Sequence, residues 1–178
     1  MLREEWAEAR EWMTRALEAK RREADPTAVA GALSNLGVIN RKGGHLEEAL
    51  AHQLEALEIQ QDLGVTRSIA ASNSRIARIH TALGDMDAAL EYHDKSLALR
   101  EKIGDRRGVL SSLRDLRELH RSLGNLGTAL DLYDRYVELR SEVFDEESRE
   151  RIDELQTRFQ VEQTERENEF LRQTNRQQ

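Results

Sequence analysis

Apolar and small side chains return every forty residues along this chain. Leu36, Ile76 and Leu116 are forty apart, and so are Gly44, Gly84 and Gly124, then Ala49, Ala89 and Ala129, then Leu57, Leu97 and Val137. A period of this length is that of a helical hairpin, and hairpins repeating at a fixed interval stack so that each covers the apolar face of the next. The pattern predicts an all-α fold of antiparallel helix hairpins.

Each period divides into two helices. Asp25 before Pro26 supplies an N-cap carboxylate and a first-turn proline, and Gly43-Gly44 ends the helix they open. Gly84-Asp85 and Gly104-Asp105 each pair a glycine suited to a left-handed terminal residue with an aspartate suited to cap the next helix, and Gly124-Asn125 repeats the theme. Helices are expected at about 27–42, 46–63, 67–82, 86–103 and 107–122, with a sixth starting near Leu126. Gly37 and Ala77 in the first helices, and Ala49, Ala89 and Ala129 in the second, permit close approach, while Leu36, Leu57, Ile76, Leu97 and Leu116 fill the layer between.

The ends depart from the repeat. Trp6, Ala9, Ala16 and Leu17 lie forty residues before Leu46, Ala49, Ala56 and Leu57, so residues 4–24 read as the second helix of a repeat whose first helix is absent. Two origins fit: excision from a longer array, or a natural capping helix. At the other end Arg117 stands where Gly37 and Ala77 stood, Tyr136 where Ala56 and Ser96 stood, and Phe144 replaces the terminating glycine. Nothing then breaks the helix from Leu126 to about Thr174, and forty-odd residues at helical rise would extend about 70 Å.

In that last segment Ile152, Leu155 and Phe159 keep a three-four spacing and Phe170 offers a later contact, but Glu162, Arg166 and Glu169 interrupt the heptad. It reads either as a solvated cap or as a connector that pairs with a second copy into a homodimer. The resulting division is 1–24 (incomplete repeat), 25–64, 65–104 and 105–144 (three repeats), and 145–178 (extended helix, candidate coiled-coil connector).

The combination Leu33-x-Asn35-Leu36-Gly37, Gly44-x-Leu46-x-x-Ala49-Leu50 and Ala56-Leu57 resembles the tetratricopeptide repeat, in the forty-residue form found in kinesin light chains and many bacterial signalling proteins. The resemblance covers residues 28–144 and implies a right-handed superhelical solenoid. The segment from Phe144-Asp145-Glu146-Glu147 through Ile152, Leu155 and Phe159 to the charged run 165–171 is similar to the helix that follows such arrays in bacterial sensors. There it leads to a transmembrane segment, a histidine kinase or a diguanylate cyclase. That likeness implies a parent protein continuing beyond Gln178.

Composition narrows the function. Hydrophobic residues make up 38% and charged residues 34% of 178 positions, with ten glycines and one proline, as in a helix-rich chain of ordinary complexity. No stretch approaches the roughly 18 apolar residues of a membrane span, and charge begins at Arg3, so neither signal peptide nor membrane insertion is expected. Zero cysteines exclude thiolate catalysis and cysteine metal sites, and fit a cytoplasmic setting. A net charge of −7 and 4% aromatics argue against nucleic acid.

Candidate chemistry is sparse. His45, His52, His80, His93 and His120 include no pair at helical ligand spacing, so no metal is expected, nor any cofactor. His80 and His120, forty apart, are expected to pack as neighbours along the array. No nucleophile triad or phosphate loop is present, and the chain reads as no enzyme, although it could be the regulatory part of one.

Charge is nevertheless ordered. Residues 28–42 carry Arg41 and Lys42 with no acid, and 68–82 carry Arg75 and Arg78 with none, whereas Glu47, Glu48, Glu55, Glu58 and Asp62 crowd the intervening helix. In the resembled family the first helices line the concave face, which implies a basic groove suited to an acidic peptide or carboxylate. Ser34, Asn35, Arg41, Ser74, Arg75, Arg78, Arg114 and Arg121 are its expected lining. Asparagine at the Asn35 position commonly holds peptide backbone in that family, but Arg75 and Asp115 replace it in the next two repeats. Each arginine could instead pair with Asp115 or Glu118 at the surface, worth only about 0 to 1 kcal/mol.

The expected function is a non-catalytic module that binds a protein or peptide, serving as the sensor segment of a bacterial signalling protein. The alternative is a structural self-association module whose groove is filled by a neighbouring chain.

Overall fold

The computed structural model describes the backbone of residues 2–176 and the side chains of residues 6–146, 148–149 and 151–164. Among them are seven helices: α1 (Leu2–Arg22), α2 (Pro26–Gly43), α3 (Leu46–Asp62), α4 (Thr66–Leu83), α5 (Met86–Lys102), α6 (Arg106–Ser122) and α7 (Leu126–Arg176). The five fully predicted helices agree with the sequence reading to within one residue at either end. The chain divides into two compact units, Met1–Tyr136 and Val137–Gln178.

In the first unit the five turns from α2 to α7 share one backbone solution. Gly44, Gly64, Gly84, Gly104 and Gly124 take φ of 66 to 85°. The amide after each donates to a carbonyl five residues back, as from His45 to Asn40 at 2.9 Å and from Asp105 to Arg100 at 2.9 Å. This closure satisfies carbonyls that a helix end leaves open, and glycine adopts it without a Cβ penalty. Asp25, Asp85 and Asp105 cap α2, α5 and α6, each accepting at 3.1 Å from the amide three residues on. At residue 144 the glycine's place is taken by Phe144, and α7 runs through it.

The core is a thin layer between successive helices. Leu17, Val29, Ala32, Leu33, Leu36 and Ala56 form one cluster, with Met13 and Ile59 packed against it. Ile76, Ile79, Leu113 and Leu116 are fully buried in the following layers. A polar seam runs through the same layers. Gln60 donates from Nε2 to Ser34 Oγ (3.4 Å) and accepts at Oε1 from Ser72 Oγ (2.8 Å), tying α3 to both neighbouring first helices. One period later Arg100 donates to Ser112 Oγ (2.7 Å) and to the Gly108 carbonyl (2.8 Å). Buried polar groups that find such partners fix register between repeats without the cost of an orphaned donor.

The second unit is the α7 helix from Val137 onward. On it Phe144, Ile152, Leu155, Phe159 and Val161 are each more than half exposed. Phe170, expected to extend this apolar face, lies outside the residues whose side chains are described.

Candidate functional site

The first helices of the hairpins, α2, α4 and α6, carry the site. Neither α2 nor α4 contains an acid, and each brings arginine toward its C-terminal half, where a cation also suits the helix dipole. A concave site of about 350 Å³ lies across these helices, lined by Arg41, Arg78, Thr81, Asp115, Glu118, Leu119 and Ser122, with His93 of α5 at its floor.

The arginines differ in what they face. Arg78 donates from Nε (3.1 Å) and from a terminal nitrogen (2.5 Å) to one oxygen of Asp115, whose side chain is largely buried. Arg114 sits 3.8 Å from the other oxygen of Asp115. Arg121 pairs with Glu118 at 2.8 Å, and Arg117 also hydrogen-bonds Glu118, whose carboxyl these two arginines hold below its usual range. Of the α4 arginines, Arg78 is thus paired by Asp115 of α6, while Glu118 pairs within α6, so the groove is lined by carboxylates as well as arginines.

Arg41 and Arg75 are the exceptions. Among the described residues neither side chain makes an ion pair, and both are half-buried. Burial, and secondarily the like charge of Arg78, lowers the pKa of Arg75. A guanidinium short of both water and a counter-ion gains from an arriving anion.

The serines require a correction. Ser34 and Ser74 are 6% and 3% exposed and belong to the packed face of their helices, not to the groove. The Ser34 hydroxyl meets Gln60, and its carbonyl accepts from Gln53 Nε2 at 2.7 Å. Asn35, Arg114 and Arg121 are exposed.

The histidines also depart from expectation. His80 stacks on Tyr92 of α5, with ring centres 5.6 Å apart and planes at 11°, rather than on His120. His93, which the sequence did not single out, is the most perturbed titratable group at the site. It is 2% exposed, and its Nδ1 has no hydrogen-bond partner among the described residues. Burial pushes its pKa down to about 4, with Arg78 and Arg100 acting the same way and Asp115 opposing. It is therefore neutral at pH 7. The available signal was positional: His93 stands forty residues after Gln53, which is fully buried in α3.

Among the described residues no group of three or more histidines or carboxylates could hold a metal ion, and no helix is long and apolar enough to cross a membrane.

The fold has solved counterparts. BtubC (BKLC) from P. vanneervenii superposes with a TM-score of 0.72 at 22% identity, covering 78% of this chain and 58% of that one. A Rap protein complexed with competence and sporulation factor gives 0.71 at 21% identity, covering 77% and 38%. The nearly identical TPR-like repeats of a Podosopora anserina protein of the kinesin light chain type give 0.64 at 18%, covering 78% and 68%. The chain thus spans 58% of the first and 38% of the second of these proteins, and likeness at such identities speaks for the fold. No curated protein matches the sequence. The tetratricopeptide repeat pattern itself matches residues 1–62 and 68–142. By that match the chain belongs to the tetratricopeptide repeat family, whose stacked hairpins serve as scaffolds for protein–protein interaction.

Proposed function

We propose that this chain is a non-catalytic cytoplasmic module that binds an acidic peptide or an acidic segment of a partner protein along α2, α4 and α6, as the sensor part of a larger bacterial signalling protein. The observation that carries the reading is Arg75, desolvated, beside Arg78 and without a carboxylate partner among the described residues, together with Arg41 of α2, half-buried and likewise outside any ion pair among them. An acidic side chain or terminal carboxylate would supply the missing counter-charges, and Asn35 stands exposed on α2 to meet peptide backbone. A similar Rap protein is complexed with competence and sporulation factor, which supports a ligand role for this fold.

The test is fluorescence anisotropy with a labelled deca-glutamate peptide and a neutral glycine-serine peptide of equal length. The reading requires preference for the acidic probe, falling with salt and lost in Arg75→Ala and Arg41→Ala. Equal affinity of wild type and Arg75→Ala would reject it.

A second reading rests on α7. Phe144 and Leu155, Ser141 and Ile152, and Ser148 and Phe159 are each eleven residues apart, a spacing that keeps a stripe on one side of a nearly straight helix. The exposure of Ile152, Leu155 and Phe159 favours pairing of this helix with a second copy. Replacing these three by glutamate in the full chain should then convert a dimer into a monomer by light scattering. An unchanged mass would remove this reading.

A further inference from the structure

Within the first unit, three second helices can be compared position by position. In α3 and α5 the residues Ala49, Gln53 and Ala56, and Ala89, His93 and Ser96, are at most 2% exposed. Much of that cover comes from the first helix of the same hairpin. Gln53 donates to the Ser34 carbonyl and His52 meets Asn40 at 3.2 Å, while Ser96 donates to the Ala70 carbonyl at 2.8 Å and Tyr92 stacks on His80.

The corresponding residues of α1 are Ala9, Trp12, Met13 and Ala16. Leu17, on the side facing α2, is as buried as its counterparts Leu57 and Leu97. On the other side the cover is missing: Ala9 and Met13 are half-buried, Ala16 is exposed and Trp12 is 64% exposed. The bared set is the one that the first helix covers in the next two hairpins.

We infer that this face of α1 is a docking site for one amphipathic helix of the first-helix type. The two covered counterparts in the chain define its chemistry. Its centre carries a glycine or alanine after an aliphatic residue, as in Leu36-Gly37 and Ile76-Ala77, so that backbone can approach Met13. Three residues on it carries a planar side chain that meets the ring opposite, as Asn40 hydrogen-bonds His52 and His80 stacks on Tyr92, here facing Trp12. Among the described residues a second copy offers no such helix: its α2 and α4 are already engaged on both sides by α1, α3 and α5, and its α6 carries Arg117 where the small residue is required.

Two experiments decide it. A labelled peptide of residues 65–84, carrying the α4 sequence, is titrated into the full chain and followed by anisotropy. Saturable binding is expected, weakened at least about tenfold by Ala16→Arg in the protein or Ala77→Arg in the peptide. Because an isolated helix of this length is marginal in water, residues 65–85 are also fused directly before Trp6, the register in which they precede Met86. In a Trp6→Phe background, which leaves Trp12 as the single tryptophan, the fusion should raise the melting midpoint and shift Trp12 emission to the blue. Unchanged emission and midpoint in the fusion overturn the inference. Trp12 emission that shifts with protein concentration alone, together with a doubled mass, assigns the face to a second copy and overturns it as well.

Discussion

Gln53 fills the space that a side chain on Gly37 would need. A Cβ at position 37 would lie 2.5 Å from Gln53 Nε2 and 2.7 Å from its Cγ, well inside van der Waals contact. Gln53 cannot move away freely, since it is fully buried and its amide is bonded to the Ser34 carbonyl. Forty residues on, the pair becomes Ala77 and His93. Another forty on it becomes Arg117 and Tyr133, with the guanidinium 5.3 Å from the ring centre and Tyr133 43% exposed. The close approach thus relaxes along the array as its small residue grows.

Gly37→Ala should accordingly destabilise the chain by about 1–3 kcal/mol despite alanine's better helix propensity. In a Gln53→Ser background most of that loss should vanish, giving a coupling of about 1 kcal/mol or more in a double-mutant cycle by urea denaturation. Additive effects would mean that the two residues do not oppose each other.

Ala24 occupies the turn position held by glycine at 64 and 104, with φ of 53°. A Cβ in this left-handed conformation costs about 1 kcal/mol or more. Ala24→Gly should raise stability by about 1 kcal/mol, reduced by the added freedom of the unfolded chain, and should lift the thermal midpoint.

His93 should make stability depend on pH. Its folded pKa of about 4 lies below the ordinary value of 6.5, so the unfolded chain takes up the proton first on acidification. Stability is full above about pH 6.5 and is lost progressively toward pH 4, by an amount on the order of 3 kcal/mol. His93→Gln, which copies Gln53, should flatten that part of the profile. A difference curve between the two proteins, measured from pH 7 to 4 by denaturant titration, isolates this contribution from the carboxylates.

Arg78 and Arg121 both pair with acids of α6, but in different surroundings. The Asp115 side chain is 16% exposed and loses its main counter-ion in Arg78→Ala, so a cost of about 1–2 kcal/mol is expected. Glu118 is more exposed and keeps Arg117, so Arg121→Ala should cost clearly less than Arg78→Ala. The same asymmetry makes Arg75, rather than Arg78, the clean position for binding tests.

The helices were legible in the sequence because each has its own local stop. The glycine turns and aspartate caps act through backbone conformation within a few residues, and Phe144 marked the continuation of α7 by removing one of them. The site was less legible because charge pairing is set by neighbours about forty residues away. The first helices read as basic from composition, yet Asp115 reaches back to Arg78 across the repeat. Ser34 and Ser74 read as groove residues by their place on the first helices, which line the concave face in the resembled family. Both are instead buried in the packed face, Ser34 inside the polar seam, which a hydrophobic pattern does not register. His93 stayed hidden for the same reason, as a polar residue at a position whose burial only the stacked arrangement creates.

The most direct measurement is the response of the arginine Nε–H resonances of the isotope-labelled full chain to titration with the deca-glutamate peptide. Ligand binding across α2 and α4 predicts that the Arg75 and Arg41 signals shift together and saturate with the anisotropy curve, while Arg15 of α1 does not move. Saturable binding that leaves Arg75 and Arg41 unshifted would place the ligand elsewhere and contradict the account.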